Sequence, residues 1–302
     1  MAHRNFLHAY DMSATELKRV LALAQAPIAQ LGRPLDGKGV ALIFEKPSNR
    51  TRHSMEMAAV QLGGHPVYTR GEEVGMDVRE SVEDITNVMS GYHAILCARV
   101  FDHGVLHRMA AVSSVPIVNM LSDFAHPLQA VADVLTMQQN FGDLAGKTVT
   151  YVGDFNNVAR SLCEASAMLG MHIRLGCPEG YDAPDNELLG LTELGAASVE
   201  QYRDIAIAVS GAHAVHTDTW TSMGQESESA EREATFAGFE VTTEMMALAE
   251  TNAIFMHCLP AHRGQEVASS VIDGPQSRVY PQAHNRMHAA RGVLAFLMGE
   301  QK

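Results

Sequence analysis

The residues with the most chemistry to offer stand just after short apolar runs. Behind Val40–Phe44 the chain reads Glu45-Lys-Pro-Ser48-Asn49-Arg50-Thr51-Arg52, with two guanidiniums and two hydroxyls close together. Pro47 fixes the chain as it leaves the run, and Ser48 is a good N-cap for a following helix. A helix start offers unbonded backbone N–H groups and the positive end of the helix dipole, which together bind phosphate. Arg50 and Arg52 add charge, and the hydroxyls of Ser48 and Thr51 add neutral donors. Residues two apart on a helix diverge, so Arg50 is expected to face a ligand and Arg52 to hold the loop or a domain contact. Taken alone, a capped helix with solvated arginines explains this segment equally well. Arg99, behind Ala94–Ala98, could also be an ordinary surface charge. Two arginine-bearing loops at one sheet edge favour a bound phosphate.

Other run ends are polar too. Behind Pro116–Met120 comes His126-Pro-Leu-Gln129, in which His126 reads unaided as a structural histidine before a helix-starting proline. Gly153-Asp154-Phe-Asn156-Asn157 opens a helix but lacks the GxGxxG dinucleotide pattern. Asp218, behind Ala214–Thr217, has the plain alternative of a helix N-cap. Cys258 follows Ala253–His257 and precedes Pro260, where a small buried filler is the ordinary use of a cysteine. Neighbours on a strand point to opposite faces, so a Cys258–His257 dyad is not expected.

The elements that must position these residues alternate. Further strands are expected at Thr148–Val152 and His172–Gly176, and helices at Ser54–Leu62, Glu80–Met89, Pro127–Gln139, Val158–Leu169 and Ala283–Leu297. Ser13-Ala-Thr-Glu16 reads as a capping box before the stripe Leu17, Val20, Leu21, Ala24. Strand–helix alternation predicts an α/β fold: two domains, each a parallel sheet flanked by helices, joined by interdomain helices. The expected division is 1–130 and 131–282, with a C-terminal helix at about 283–302 packing back on the first domain. Ligands in such sheets bind at the carboxyl ends of the strands.

The 302 residues carry a formal net charge of −13, which argues against nucleic acid or an anionic membrane as partner. An anionic substrate then needs a local arginine cluster. The four cysteines form no CxxC pair and fit a reducing cytoplasm. No apolar run approaches the roughly 20 residues of a membrane span, and the N-terminus lacks a secretory signal. The fifteen histidines are read as not clustering at helical or zinc spacing, so no metal is expected.

Ser48-Asn-Arg-Thr-Arg52 resembles the Ser-Thr-Arg-Thr-Arg motif of aspartate and ornithine carbamoyltransferases, and His126-Pro-Leu-Gln129 resembles their His-Pro-x-Gln. Asp218-x-x-x-Ser-Met-Gly224 and His257-Cys-Leu-Pro260 resemble the ornithine branch. The likeness runs through almost the whole chain in order. It implies transfer of a carbamoyl group from carbamoyl phosphate to the side-chain amine of L-ornithine, giving L-citrulline without cofactor or metal. It also implies a cytoplasmic homotrimer serving arginine metabolism. By the same resemblance, Ser48, Asn49, Arg50, Thr51 and Arg99 bind phosphate. Thr51, Arg99 and His126 hold the carbamoyl oxygen, with Arg286 reaching the same end. Gln129 and the backbone near Cys258 and Leu259 hold the carbamoyl nitrogen. Asn157, Asp218, Ser222 and Met223 receive the head group of ornithine, and Cys258 lies beside the attacking amine. Arg99, His126 and Cys258 are the catalytic candidates.

The sequence departs from the pattern twice. Asn49 stands where threonine is usual, and the loop Gly71–Ser81 lacks the glutamine that a neighbouring subunit often supplies; Arg79 is a substitute donor with an ambiguous alignment. The polar stretch Gly224–Glu233 reads either as a solvated loop or, by resemblance, as a lid over ornithine. Alternative functions are a carbamoyltransferase for another amine such as putrescine, and a catalytically silent binding protein of the same fold. An aspartate carbamoyltransferase is disfavoured by His-Cys-Leu-Pro.

Overall fold

A computed structural model of the chain describes residues 3–221 and 226–299. Its strands are β1 (Gly39–Phe44), β2 (His65–Arg70), β3 (Ile95–Arg99), β4 (Ile117–Leu121), β5 (Thr148–Val152), β6 (His172–Gly176), β7 (Ser198–Tyr202), β8 (Ala214–Thr217) and β9 (Ile254–His257). They form two sheets, in the orders β2-β1-β3-β4 and β7-β6-β5-β8-β9. Every pairing is parallel. The chain divides into two compact units, Met1–Ala132 with His284–Lys302, and Asp133–Ala283.

The central strands β3 and β5 are buried at every residue, as parallel strands covered by helices on both faces must be. The apolar run Ile95–Ala98 in β3 and the β-branched and aromatic residues of β5 made them legible. The strands β2 and β7 were not expected from the sequence. Both are edge strands, carry polar residues and are partly exposed along their length, so no apolar run marks them.

Strand order decides where ligands go. In the first unit the connection from β1 leads outward to β2 and that from β3 leads outward to β4, so the order reverses between β1 and β3. In the second unit the reversal falls between β5 and β8. Crevices outside the carboxyl ends at such reversals are the binding positions of doubly wound sheets. Register brings the strand ends level: Phe44 pairs with Arg99, Val152 with Thr217, and Thr217 with His257.

Within the first unit, Ser13 and Glu16 cap the helix Ala14–Gln25 reciprocally, and Leu17, Val20, Leu21 and Ala24 form its buried stripe. The last helix, Val279–Gly299, meets this helix where Gly292 stands: a Cβ there would lie 2.6 Å from the Val20 carbonyl oxygen. Arg291 beside it donates to Ala24 O at 2.7 Å and to Gln61 Oε1 at 2.9 Å.

The reading of the histidines needs correction. His103 and His107 lie four apart on one face of the helix His103–Val112, which is helical spacing. His8 joins them because the N-terminal segment runs along β4, with Phe6 N donating to Ile117 O at 2.8 Å and Asn119 N to Phe6 O at 2.9 Å. That pairing is non-local, and nothing in the local sequence announces it.

Candidate active site

In the first unit, Ser48 is the N-cap of the helix Asn49–Gln61, its Oγ accepting from Thr51 N. Thr51 is buried, and its hydroxyl is the hub of a cluster. It receives Ser48 Oγ at 3.1 Å, Arg99 Nη1 at 3.4 Å and Arg286 Nη2 at 2.5 Å. Arg99 and Arg286 are themselves buried, at 4% and 8% exposure. Two buried guanidiniums converging on one hydroxyl at a helix N-terminus concentrate positive charge there, which suits an anion.

Arg99 is the last residue of β3, where the pairing with β4 shifts register, one position earlier than a place after the strand. Arg52 is held away from the cluster: it pairs with Glu56 at 2.8 Å and lies over the Tyr68 ring at 3.8 Å. Arg50 sits one residue before Thr51 and is half-buried, while Asn49 is exposed. His126 precedes the helix Pro127–Phe141 and its carbonyl accepts from Gln129 N at 3.0 Å. His126 and Gln129 are both buried. Burial first, then the charges of Arg286 and Arg99, hold the His126 imidazole well below the ordinary histidine range. Its ring is therefore neutral, and the two arginines belong to its electrostatic surroundings. Arg79 is exposed and donates to Glu73 O at 3.3 Å.

In the second unit, Asp218 follows β8 and is buried. No helix begins at Thr219, so Asp218 is not an N-cap. Both carboxylate oxygens are engaged, Oδ1 by Cys258 Sγ at 2.9 Å and Oδ2 by Asn156 Nδ2 at 3.2 Å. Asn156 caps the helix Asn157–Met168 by accepting from Val158 N and Ala159 N, so its amide is oriented toward Asp218. Asn157 is the first residue of that helix. Cys258 and His257 diverge. His257 Nδ1 accepts from Leu259 N at 2.8 Å and its Nε2 meets buried Glu266 at 3.1 Å. Leu259 adopts φ 61°, a left-handed conformation that a branched side chain rarely takes. Ser222 and Met223 lie outside the described residues.

Sequence reasoning missed Asn156, Asp154 and Arg232. Arg232 is buried on the helix Ser229–Phe236, pairs with Asp154 behind β5, donates to Trp220 O at 2.5 Å and lies over the Tyr181 ring at 4.8 Å. Burial raises the Asp154 carboxyl above its ordinary value, against the opposing pull of Arg232. The described part of the stretch read as a solvated loop or a lid is thus helical from Ser229 and anchored at its middle. A single arginine among six acidic and small residues gave no periodic signal.

These features define a two-unit α/β enzyme with an anion-binding cluster in one unit and an oriented carboxylate in the other. Comparison with known proteins gives the family. The carbamoyl-P binding domain of aspartate/ornithine carbamoyltransferases matches residues 4–139, and their Asp/Orn binding domain matches residues 145–297. An ornithine carbamoyltransferase of Symbiobacterium thermophilum is 43% identical, with 98% of each chain covered. One from Thermus thermophilus is 45% identical, covering 94% of this chain and 93% of the relative. The solved ornithine carbamoyltransferase of Pyrococcus furiosus is 41% identical and superposes with a TM-score of 0.93, covering 100% of this chain and 99% of that one. The chain belongs to the aspartate/ornithine carbamoyltransferase family.

Proposed function

We propose that the protein transfers the carbamoyl group of carbamoyl phosphate to the side-chain amine of L-ornithine, giving L-citrulline and phosphate. The observation that carries this reading is the convergence of two buried guanidiniums and a helix N-cap on Thr51, beside a neutral buried histidine. In this reading Ser48, Arg50, Thr51, Arg99 and the backbone N–H groups from Asn49 onward take the phosphate. Attack by the neutral amine forms the new C–N bond and places negative charge on the carbamoyl oxygen. Donors fixed in advance stabilise that oxyanion, and Arg286, His126 and Thr51 are the donors assigned to it. The C–O bond to phosphate then breaks, and phosphate leaves with its charge already compensated and takes up the surplus proton of the nitrogen. Gln129 holds the carbamoyl amide.

Residues 1–130 with about 283–302 form the carbamoyl-phosphate domain, and 131–282 the ornithine domain. Asp218, oriented from both sides, pairs with the α-ammonium, Asn157 takes the α-carboxylate, and Ser222 and Met223 complete the head-group contact. Cys258 positions the acceptor by holding Asp218. The family resemblance further supports a cytoplasmic homotrimer acting in arginine metabolism.

The test is product analysis with carbamoyl phosphate and a panel of amines, comparing kcat/KM for L-ornithine and putrescine. The two share the reacting end, so the head-group site must discriminate. A site built around polar contacts rejects a ligand lacking them by roughly 10⁴ in favourable cases. Citrulline as product with strong preference for ornithine is expected, and Asp218→Asn should lose most of that preference. Equal values for the two amines in the wild type refute the acceptor assignment.

A further inference from the structure

The three histidines corrected above form a cluster in the first unit, apart from the Thr51 hub. The metal-ligating nitrogens of His8, His103 and His107 all lie within 4.8 Å of one another. His8 Nε2 and His103 Nε2 face each other at 3.0 Å. Two ligands of a tetrahedral zinc, each at about 2.0–2.1 Å, stand roughly 3.3 Å apart, so this pair needs to open only slightly. His107 comes from one turn further along the same helix as His103, and the two rings lie 4.8 Å apart between centroids.

The surroundings hold the rings in place. Ser122 Oγ meets His103 Nδ1 at 2.7 Å. A donor Nδ1–H there leaves the Nε2 lone pair turned toward His8, as outer partners do for metal-bound histidines. Asp123 Oδ1 accepts from His103 N at 2.9 Å, and Asp11 Oδ2 accepts from His8 N at 2.9 Å, so two carboxylates lie just behind the ligands. Tyr10 stacks on the His8 ring at 4.6 Å. His8 and His103 are buried whereas His107 is exposed, which gives an ion a route in and leaves a fourth position for water.

We propose that His8, His103 and His107 form a binding site for a divalent transition metal of the zinc class, stapling the N-terminal segment to the helix His103–Val112. Neutral imidazoles suit zinc, nickel, copper or cobalt, and do not suit magnesium or calcium.

The experiment titrates chelator-stripped full-length protein with zinc chloride by calorimetry, in Cys258→Ala and in Cys258→Ala/His107→Ala. The cysteine change removes the thiol beside Asp218, a second place where zinc has partners. His107 is exposed, so its replacement leaves the fold in place. One zinc per chain in Cys258→Ala, lost or weakened at least about 10-fold in the double variant, is the expected result. Zinc should also raise the thermal midpoint of the first and not of the second, while magnesium does neither. Equal zinc binding by both variants, or none by Cys258→Ala, overturns the proposal.

Discussion

Two arginines that look equivalent in the sequence have different work. Arg52 is committed to Glu56 and the Tyr68 ring, holding the helix Asn49–Gln61 to β2. Arg50 is one residue from the hub at Thr51 and makes no ion pair of that kind among the described contacts. Arg50→Ala is therefore expected to weaken carbamoyl phosphate binding by about 1.5–3 kcal/mol, the range of a hydrogen bond to a charged group, or roughly 10–150-fold. Arg52→Ala should leave that affinity within about twofold. Calorimetry on both variants decides: an unchanged affinity in Arg50→Ala removes it from the anion site. The divergence of these side chains was legible, because two residues two apart on a helix must part. The role of Thr51 as meeting point for Arg99 and Arg286 was not legible from the residues alone. It depends on strand order and on a helix 235 residues further along.

At the scale of elements, the second unit fastens the helix Ser229–Phe236 through one buried side chain. Arg232 reaches Asp154, the Trp220 carbonyl and two aromatic rings, Tyr181 and Phe236. Breaking a buried ion pair by removing one partner costs about 3–5 kcal/mol, because the other charge stays buried. Asp154 keeps some solvent access, so Arg232→Met should cost less, about 1–3 kcal/mol in urea unfolding, and should raise KM for ornithine more than it lowers kcat. An Arg232→Met protein with unchanged stability would show that the helix is held by its aromatic contacts alone. This anchor escaped the sequence reading for the same reason as β2 and β7. Apolar periodicity reports elements that bury a face, whereas edge strands and helices tethered by a single polar residue leave no such period. Where an element is buried throughout, the run in the sequence and the strand in the structure agree closely: β5 and β8 have the same ends, and β3 and β9 differ by one residue.

The molecule as a whole carries an acid liability in its histidines. Burial pushes His93, His126, His213 and His288 below the ordinary histidine range, and holds His103 down to about 4. In the unfolded chain these rings take up a proton near pH 6.5. Between that value and each lowered folded value the unfolded state binds more protons, so stability falls as pH drops below about 6.5. Carboxylates held low by arginines, such as Glu16 at about 2 beside Arg4, extend the loss to lower pH. Asp154, raised by burial, works the other way, because the folded state then takes its proton first. One carboxyl does not offset several histidines, so the net expectation is a steady decline from neutral pH to pH 5. Each extra proton bound on unfolding contributes a slope of about 1.4 kcal/mol per pH unit. His126→Gln removes one such ring and keeps a polar side chain of similar reach. Its unfolding free energy, measured in urea with a chelator present, should depend on pH less steeply than that of the wild type between pH 6 and 5, by about one proton. Parallel curves for the two proteins would mean that His126 is protonated in the fold, and that the arginines beside it are compensated by charge from elsewhere.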